Sequence, residues 1–215
     1  MIQVSDRAPW RVSRMLESPS AARELGFVST CGLDLCAGHV RLKQVNDDAE
    51  TAQPPFDGSP FTLRQPAIDD GGAMWRVARD SRTLDLNTSY AYLLWARDFA
   101  ATSVVAETGG EVVGFVSGYL RPDAPHTLMV WQVAVDADQR GHGLAGRMLD
   151  HLAETVPGVT SLETTITDDN SASRALFSRF ARARGADHEE LDLFLRDHFP
   201  DEGHDPEVLH RIGPF

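Results

Sequence analysis

The sequence predicts a mixed α/β fold, with about six or seven strands and helices interleaved among them. Three observations carry this reading. From Phe61 onward, short β-branched apolar runs alternate with helical periodicities. The pair Gly109-Gly110 separates two such runs as a hairpin turn would. At the centre, an apolar run ending at Val135 gives way to a polar turn, two glycines and a helix.

The elements follow in order. Residues 61–64 read as a short strand, and Asp69 or Asp70 is placed to cap a helix reaching about Arg79. Residues 89–99 read as a second helix, with Tyr90, Leu93 and Leu94 forming its apolar face at i, i+3, i+4 spacing. Residues 103–107 and 112–120 are strands joined through Thr108-Gly109-Gly110. Residues 127–135 form a long apolar strand, 144–155 a helix, and 161–167 a strand rich in β-branched residues. Residues 171–184 form a helix that Gly185 stops. Two further strands are expected near 191–194 and 208–212.

Residues 1–60 differ from the rest. Their last part, 46–60, is polar and holds three prolines and a glycine. It reads as a linker or disordered stretch, which makes residues 1–60 a partly flexible N-terminal extension, and the folded domain is expected to run from 61 to 215. Cys31, Cys36 and His39 supply too few ligands for a metal, and the two thiols read as free; no metal is implied.

Charge and hydropathy exclude some classes. A formal net charge of −12 argues against a nucleic-acid partner, because phosphate binding needs a cationic surface. The same acidity draws small amines, and it serves solubility equally well. No apolar run approaches the ~20 residues that span a bilayer. The opening residues lack the apolar core of a secretory signal. No membrane partner and a cytoplasmic location are therefore expected.

The strongest local signal is Gln139-Arg140-Gly141-His142-Gly143-Leu144-Ala145. A helix N-terminus leaves backbone N–H groups unpaired and carries partial positive charge. Gly141 and Gly143 let that backbone approach an anion such as a pyrophosphate, and Arg140 and Arg147 are placed to add charge-assisted contacts. The Gly-Lys-Ser/Thr ending of a P-loop is absent. A glycine pair before a helix also serves as a plain structural turn.

Two motifs together resemble the GNAT acetyltransferase superfamily: Arg140-x-x-Gly143-x-Ala145, and Asn170-Ser-Ala-Ser-Arg-Ala-Leu-Phe177 beyond an intervening strand. The resemblance implies a single, mostly antiparallel mixed sheet that splays between 127–135 and 161–167, with acetyl-CoA entering the gap. It further implies that Val133 and Val135 offer backbone groups to the pantetheine arm, and that Arg140, Gly141, His142, Gly143, Leu144 and Ala145 hold the pyrophosphate. Asn170 and Phe177 would flank the cofactor.

Within that superfamily, the segments at 84–94, 114–119, 130–135, 162–165 and 206–215 closely resemble the diaminobutyrate acetyltransferases, which make the acetylated precursor of the compatible solute ectoine. The likeness spans roughly residues 61–215 and implies a small diamine substrate and a homodimer. By resemblance Asp85, Trp131 and Glu207 fall at the catalytic centre, with Asn87, Tyr90 and Glu163 binding substrate. The residues also admit plainer roles. Asp85 and Asn87 suit helix capping, Trp131 suits core packing, and Glu163 and Glu207 suit a solvated strand face and an exposed loop. Trp131 equally suits holding a cation against its ring.

The expected chemistry is direct attack of a neutral amine on the thioester. The amine must first lose a proton, since an alkylammonium has a pKa near ~10. The developing oxyanion needs a donor, for which a backbone N–H in 131–133 is expected. Many members of the superfamily carry a tyrosine in the later helix to protonate the leaving thiolate; here that position is Phe177, which removes such an acid. Two other readings remain: an acetyltransferase for a different amine, or a non-catalytic acyl-CoA sensor.

Overall fold

The computed structural model describes residues 60–200 and 203–215. The N-terminal extension, with Cys31, Cys36 and His39, lies outside the described residues apart from Pro60. Strand β1 (Thr62–Arg64) leads through a 3-10 turn (Ile68–Asp70) to α1 (Gly71–Ser81) and α2 (Ser89–Asp98). Then come β2 (Val104–Thr108), β3 (Glu111–Arg121), β4 (Ala124–Val135), α3 (Leu144–Thr155), β5 (Ser161–Thr167), α4 (Ser171–Arg184), β6 (His188–Phe194) and β7 (Glu207–Ile212).

The seven strands form one sheet in the order β1-β2-β3-β4-β5-β7-β6. Every neighbouring pair is antiparallel except β4–β5. The Gly109-Gly110 hairpin forms as its residues predict, with φ of +59° and +83° at the two glycines. Such positive φ values are open to glycine without a Cβ clash.

The β4–β5 pairing is short. It spans Thr127↔Ser161, Leu128↔Leu162 and Met129↔Glu163 and then stops, while β4 continues to Val135 and β5 to Thr167. The sheet therefore splits, and the outer edge of β4 beyond Met129 carries backbone groups without a strand neighbour. On one face, Leu144, Met148, Leu149 and Leu152 of α3 pack with Phe177, Phe180 and Ala181 of α4 over Val116, Leu128, Val130 and Leu162. On the other, Met74, Val77 and Ala78 of α1 and Tyr92 and Ala96 of α2 cover Val105, Phe115 and Ala134. Burying each large apolar side chain stabilises the fold by roughly 1.5–3 kcal/mol.

Three local expectations are corrected. The face of α2 that packs inward is Tyr92 and Ala96, whereas Tyr90 and Leu93 are exposed at 57% and 40%. Asp70 does not cap α1 with its side chain. Its carboxylate accepts from Arg64 at 2.6 and 2.9 Å and from the Ala67 backbone N–H at 2.7 Å, so an ion pair to β1 has taken the oxygens a cap would use. The penultimate strand also begins earlier than its apolar residues indicate, at His188.

Candidate active site

The turn after β4 is built for close approach. Gly141 and Gly143 have φ of +85° and +72°, and Gly143 stands immediately before the first turn of α3. A Cβ at either glycine, or at Gly146, would meet nothing within 4 Å, so these residues border open space. That space is a cavity of about 610 Å³. Its walls are the end of β4 (Val133, Ala134, Val135), the turn and first residues of α3 (Arg140, Gly141, Gly143, Leu144, Ala145, Gly146) and α4 (Asn170, Ala172, Ser173, Leu176, Phe180). Ser81, Thr83 and Leu84 close one end, one residue short of Asp85.

The structure gathers Val133, Val135, Arg140, Gly141, Gly143, Leu144, Ala145 and Asn170 around one cavity and leaves out two of their expected companions. His142 is exposed, its ring Nδ1 3.3 Å from the Gln139 carbonyl oxygen, and lies outside the lining. Phe177 is only 3% exposed and sits in the core beneath α4, so it does not border the cavity. Arg147 also lies outside the lining. Arg140 lines the cavity but turns its guanidinium onto backbone, donating to the carbonyls of Val135 at 3.2 Å and Ser81 at 3.4 Å. Asn170 has a local task besides: its side-chain oxygen accepts the Ser173 N–H at 3.0 Å and so caps α4.

Beside the cavity, β4 carries a bulge. Ser117 pairs with Gln132 and Gly118 with Val130, which leaves Trp131 as the extra residue on β4. Gly118 permits this, since a Cβ there would stand 2.8 Å from the Met129 carbonyl oxygen. The Trp131 ring stacks on Trp95 of α2 with centroids 4.0 Å apart, and Trp95 stacks on Phe99 at 4.7 Å. The indole is thus held by a ladder of aromatic rings.

The expected acidic residues are held in different ways. Asp85 keeps its carboxylate 93% exposed, with His204 Nε2 3.8 Å away. Its backbone carbonyl accepts from the Gln132 side chain at 3.0 Å and from Asn87 at 3.4 Å, so β4 pins the loop that carries it. Tyr90, on the first turn of α2, is exposed. Glu207 accepts a hydrogen bond from the Thr165 hydroxyl across the β5–β7 pair. Glu163 is 3% exposed at the last β4–β5 pair, and both its oxygens are taken: Arg121 donates at 2.6 Å and Arg211 at 2.9 Å. Burial pushes its pKa up, but the two guanidiniums together hold the carboxyl below its ordinary value. It clasps the two halves of the sheet, which differs from the expected open contact with substrate.

Gln132 and His204 are site neighbours that sequence reasoning missed. Gln132 leaves a signal, being polar within the apolar run 127–135. His204 leaves none, because its place beside Asp85 depends on how residues before β7 return to the cleft.

A sheet parted beside a glycine turn, with a helix N-terminus at the gap, makes a site of the class that holds a phosphate-bearing ligand. The GNAT acetyltransferase family model matches residues 72–181. The L-2,4-diaminobutyric acid acetyltransferase of Streptomyces avermitilis is 58% identical over 168 residues, covering 75% of this chain and 94% of its own. That of Marinococcus halophilus is 45% identical over 153 residues, covering 70% and 88%. The solved diaminobutyrate acetyltransferase of Paenibacillus lautus, in complex with L-2,4-diaminobutyric acid and coenzyme A, superposes with a TM-score of 0.69 at 38% identity, covering 72% of this chain and 95% of that one. The chain belongs to the GNAT acetyltransferase family and, within it, to the diaminobutyric acid acetyltransferases.

Proposed function

We propose that this protein transfers the acetyl group of acetyl-CoA to the 4-amino group of L-2,4-diaminobutyrate, giving 4-N-acetyl-L-2,4-diaminobutyrate for ectoine synthesis. The observation that carries the proposal is the cavity at the end of β4, beyond the point where β5 leaves it, bounded by the Gly141/Gly143 turn and α4 and reaching Leu84, the neighbour of Asp85 in sequence. Those residues fit acetyl-CoA. The unpaired edge of β4 suits the amide-rich pantetheine arm, and the N-terminus of α3 suits the pyrophosphate.

On the acceptor side, the open Asp85 carboxylate is a suitable partner for one ammonium group, and the Trp131 face for a cation. Desolvation at the aromatic ladder, or a carboxylate acting through water, would favour the neutral amine that attacks. Trp131 stands at the bulge, and a backbone N–H of 131–133, on the edge of β4 that β5 leaves beyond Met129, would face the developing oxyanion. Most of the acceleration then comes from holding amine and thioester together. Position 177, a buried phenylalanine, supplies no proton to the leaving thiolate, and water is a sufficient donor for so good a leaving group.

We read residues 61–215 as the catalytic domain, the protein as cytoplasmic, and the assembly as a homodimer. Exposed Leu191, Leu193, Phe194 and Leu195 at the β6 edge support a dimer, because monomers rarely expose such a cluster. Sedimentation velocity should give twice the chain mass; a monomer at micromolar concentration would remove this part of the reading.

The substrate is tested by following free thiol release from acetyl-CoA with diaminobutyrate, ornithine, lysine and spermidine. Diaminobutyrate is expected to give the highest kcat/KM by at least tenfold. Equal rates on all four would point to a different amine, and no release with any would point to an acyl-CoA sensor.

A further inference from the structure

Away from the cleft, one face of the outer sheet gathers three ligand-type side chains. His188 and Glu190 stand two residues apart on β6 and so point to the same side. His210 on β7 is the direct partner of Glu190. His188 Nε2 lies 2.9 Å from His210 Nδ1, and Glu190 Oε1 lies 3.8 Å from the same Nδ1. One donor atom from each residue falls within 4.8 Å of the others. None of the three lines the acyl-CoA cavity.

We propose that His188, Glu190 and His210 bind a divalent cation of the zinc class, with two imidazole nitrogens and one carboxylate oxygen as ligands. Three features favour a cation here over a simple histidine pair. First, His188 Nε2 and His210 Nδ1 face each other at 2.9 Å, so without a cation one of the two rings must carry its proton on the facing nitrogen. With a cation on Nδ1, the proton is fixed on Nε2, and neither facing nitrogen has to donate to the other. No proton need leave two neutral rings.

Second, the spacing is close to that of a coordination shell. Donors on a tetrahedral zinc with bonds of about 2.0–2.1 Å stand about 3.3 Å apart. The two distances to His210 Nδ1, 2.9 and 3.8 Å, lie on either side of that value, and the His188–Glu190 pair lies within 4.8 Å. Third, the surroundings prepare the ligands. Arg174 of α4 donates to Glu190 Oε2 at 2.8 Å, which turns Oε1 toward the histidines, and it also pairs with Asp168 at 3.3 Å. Glu190 is 46% exposed, so a cation has a path in from the edge, and solvent can supply the fourth position.

The test titrates the full chain with Zn²⁺ alone in a non-coordinating buffer, in competition with a chromogenic chelator. Thermal unfolding is followed in parallel. One saturable site per chain is expected, with a raised midpoint when Zn²⁺ is bound. H188Q and E190Q sit at the exposed edge. Each should weaken Zn²⁺ binding at least tenfold and abolish the thermal shift, while acetyl transfer without added metal stays at the level of the unaltered protein. No saturable binding overturns the proposal. So does binding that survives both variants, which would place the ion elsewhere.

Discussion

Asp85 and Glu163 show how one side-chain type takes two roles. Asp85 keeps an open carboxylate on a loop pinned through its own backbone by Gln132. Removing the carboxylate with Asp85→Ala should lower kcat/KM for diaminobutyrate more than about tenfold, a loss of about 1.4 kcal/mol or more of transition-state stabilisation. An unchanged kcat/KM would remove it from the site. Glu163 is bound on both oxygens by Arg121 and Arg211. Glu163→Gln leaves two partly hydrated guanidiniums underpaired and should destabilise the fold by about 1–3 kcal/mol. The pH dependence follows from the sign of the shift. Glu163 and Asp70 both have carboxyl pKa values below their ordinary ones in the folded state; burial raises the first but its arginines outweigh it, and Arg64 dominates the second. Their stabilisation is therefore complete above the unfolded value near ~4.3 and is lost as pH falls through the folded value. The thermal midpoint should drop on acidification below about pH 4.5 by this linkage, and less steeply in Glu163→Gln. An identical slope in the variant would exclude Glu163 as a contributor. The clasp at Glu163 could not be read from local sequence, because its partners lie 42 and 48 residues away.

Among the elements, those whose signal is local were legible. Gly109-Gly110 marked its hairpin because only the turn's own φ values were at issue. Gly185 ended α4 for the same reason, with φ of +62°. The face of α2 was misread because Tyr90, Leu93 and Leu94 share a helical stripe, while the sheet below selects Tyr92 and Ala96. The bulge at Trp131 left no sequence mark, because register is a relation between two strands. It depends on Gly118, and Gly118→Ala should force β3 and β4 apart, at about 1–3 kcal/mol of stability. The variant should lose kcat more than it gains KM for acetyl-CoA, measured by steady-state kinetics. A stable, fully active variant would show that the bulge tolerates a methyl group.

For the whole molecule, a net charge of −12 acts on two substrates of opposite sign. Diaminobutyrate carries a net positive charge near neutral pH, and acetyl-CoA is a polyanion. Raising ionic strength from about 20 to 300 mM screens both. The kcat/KM for the amine should fall and that for acetyl-CoA should rise, by about twofold or more each; parallel changes would mean that local fields outweigh the global one. The split sheet has a further consequence in time. β7 lies between β5 and β6, and Arg211 on it completes the clasp on Glu163. During synthesis, β5, α4 and β6 therefore leave the ribosome before the strand that must sit between β5 and β6 exists. The half of the sheet beyond the split is completed only by inserting that late strand, so a nascent chain stalled before residue 207 holds every residue that lines the cavity and none of a finished sheet.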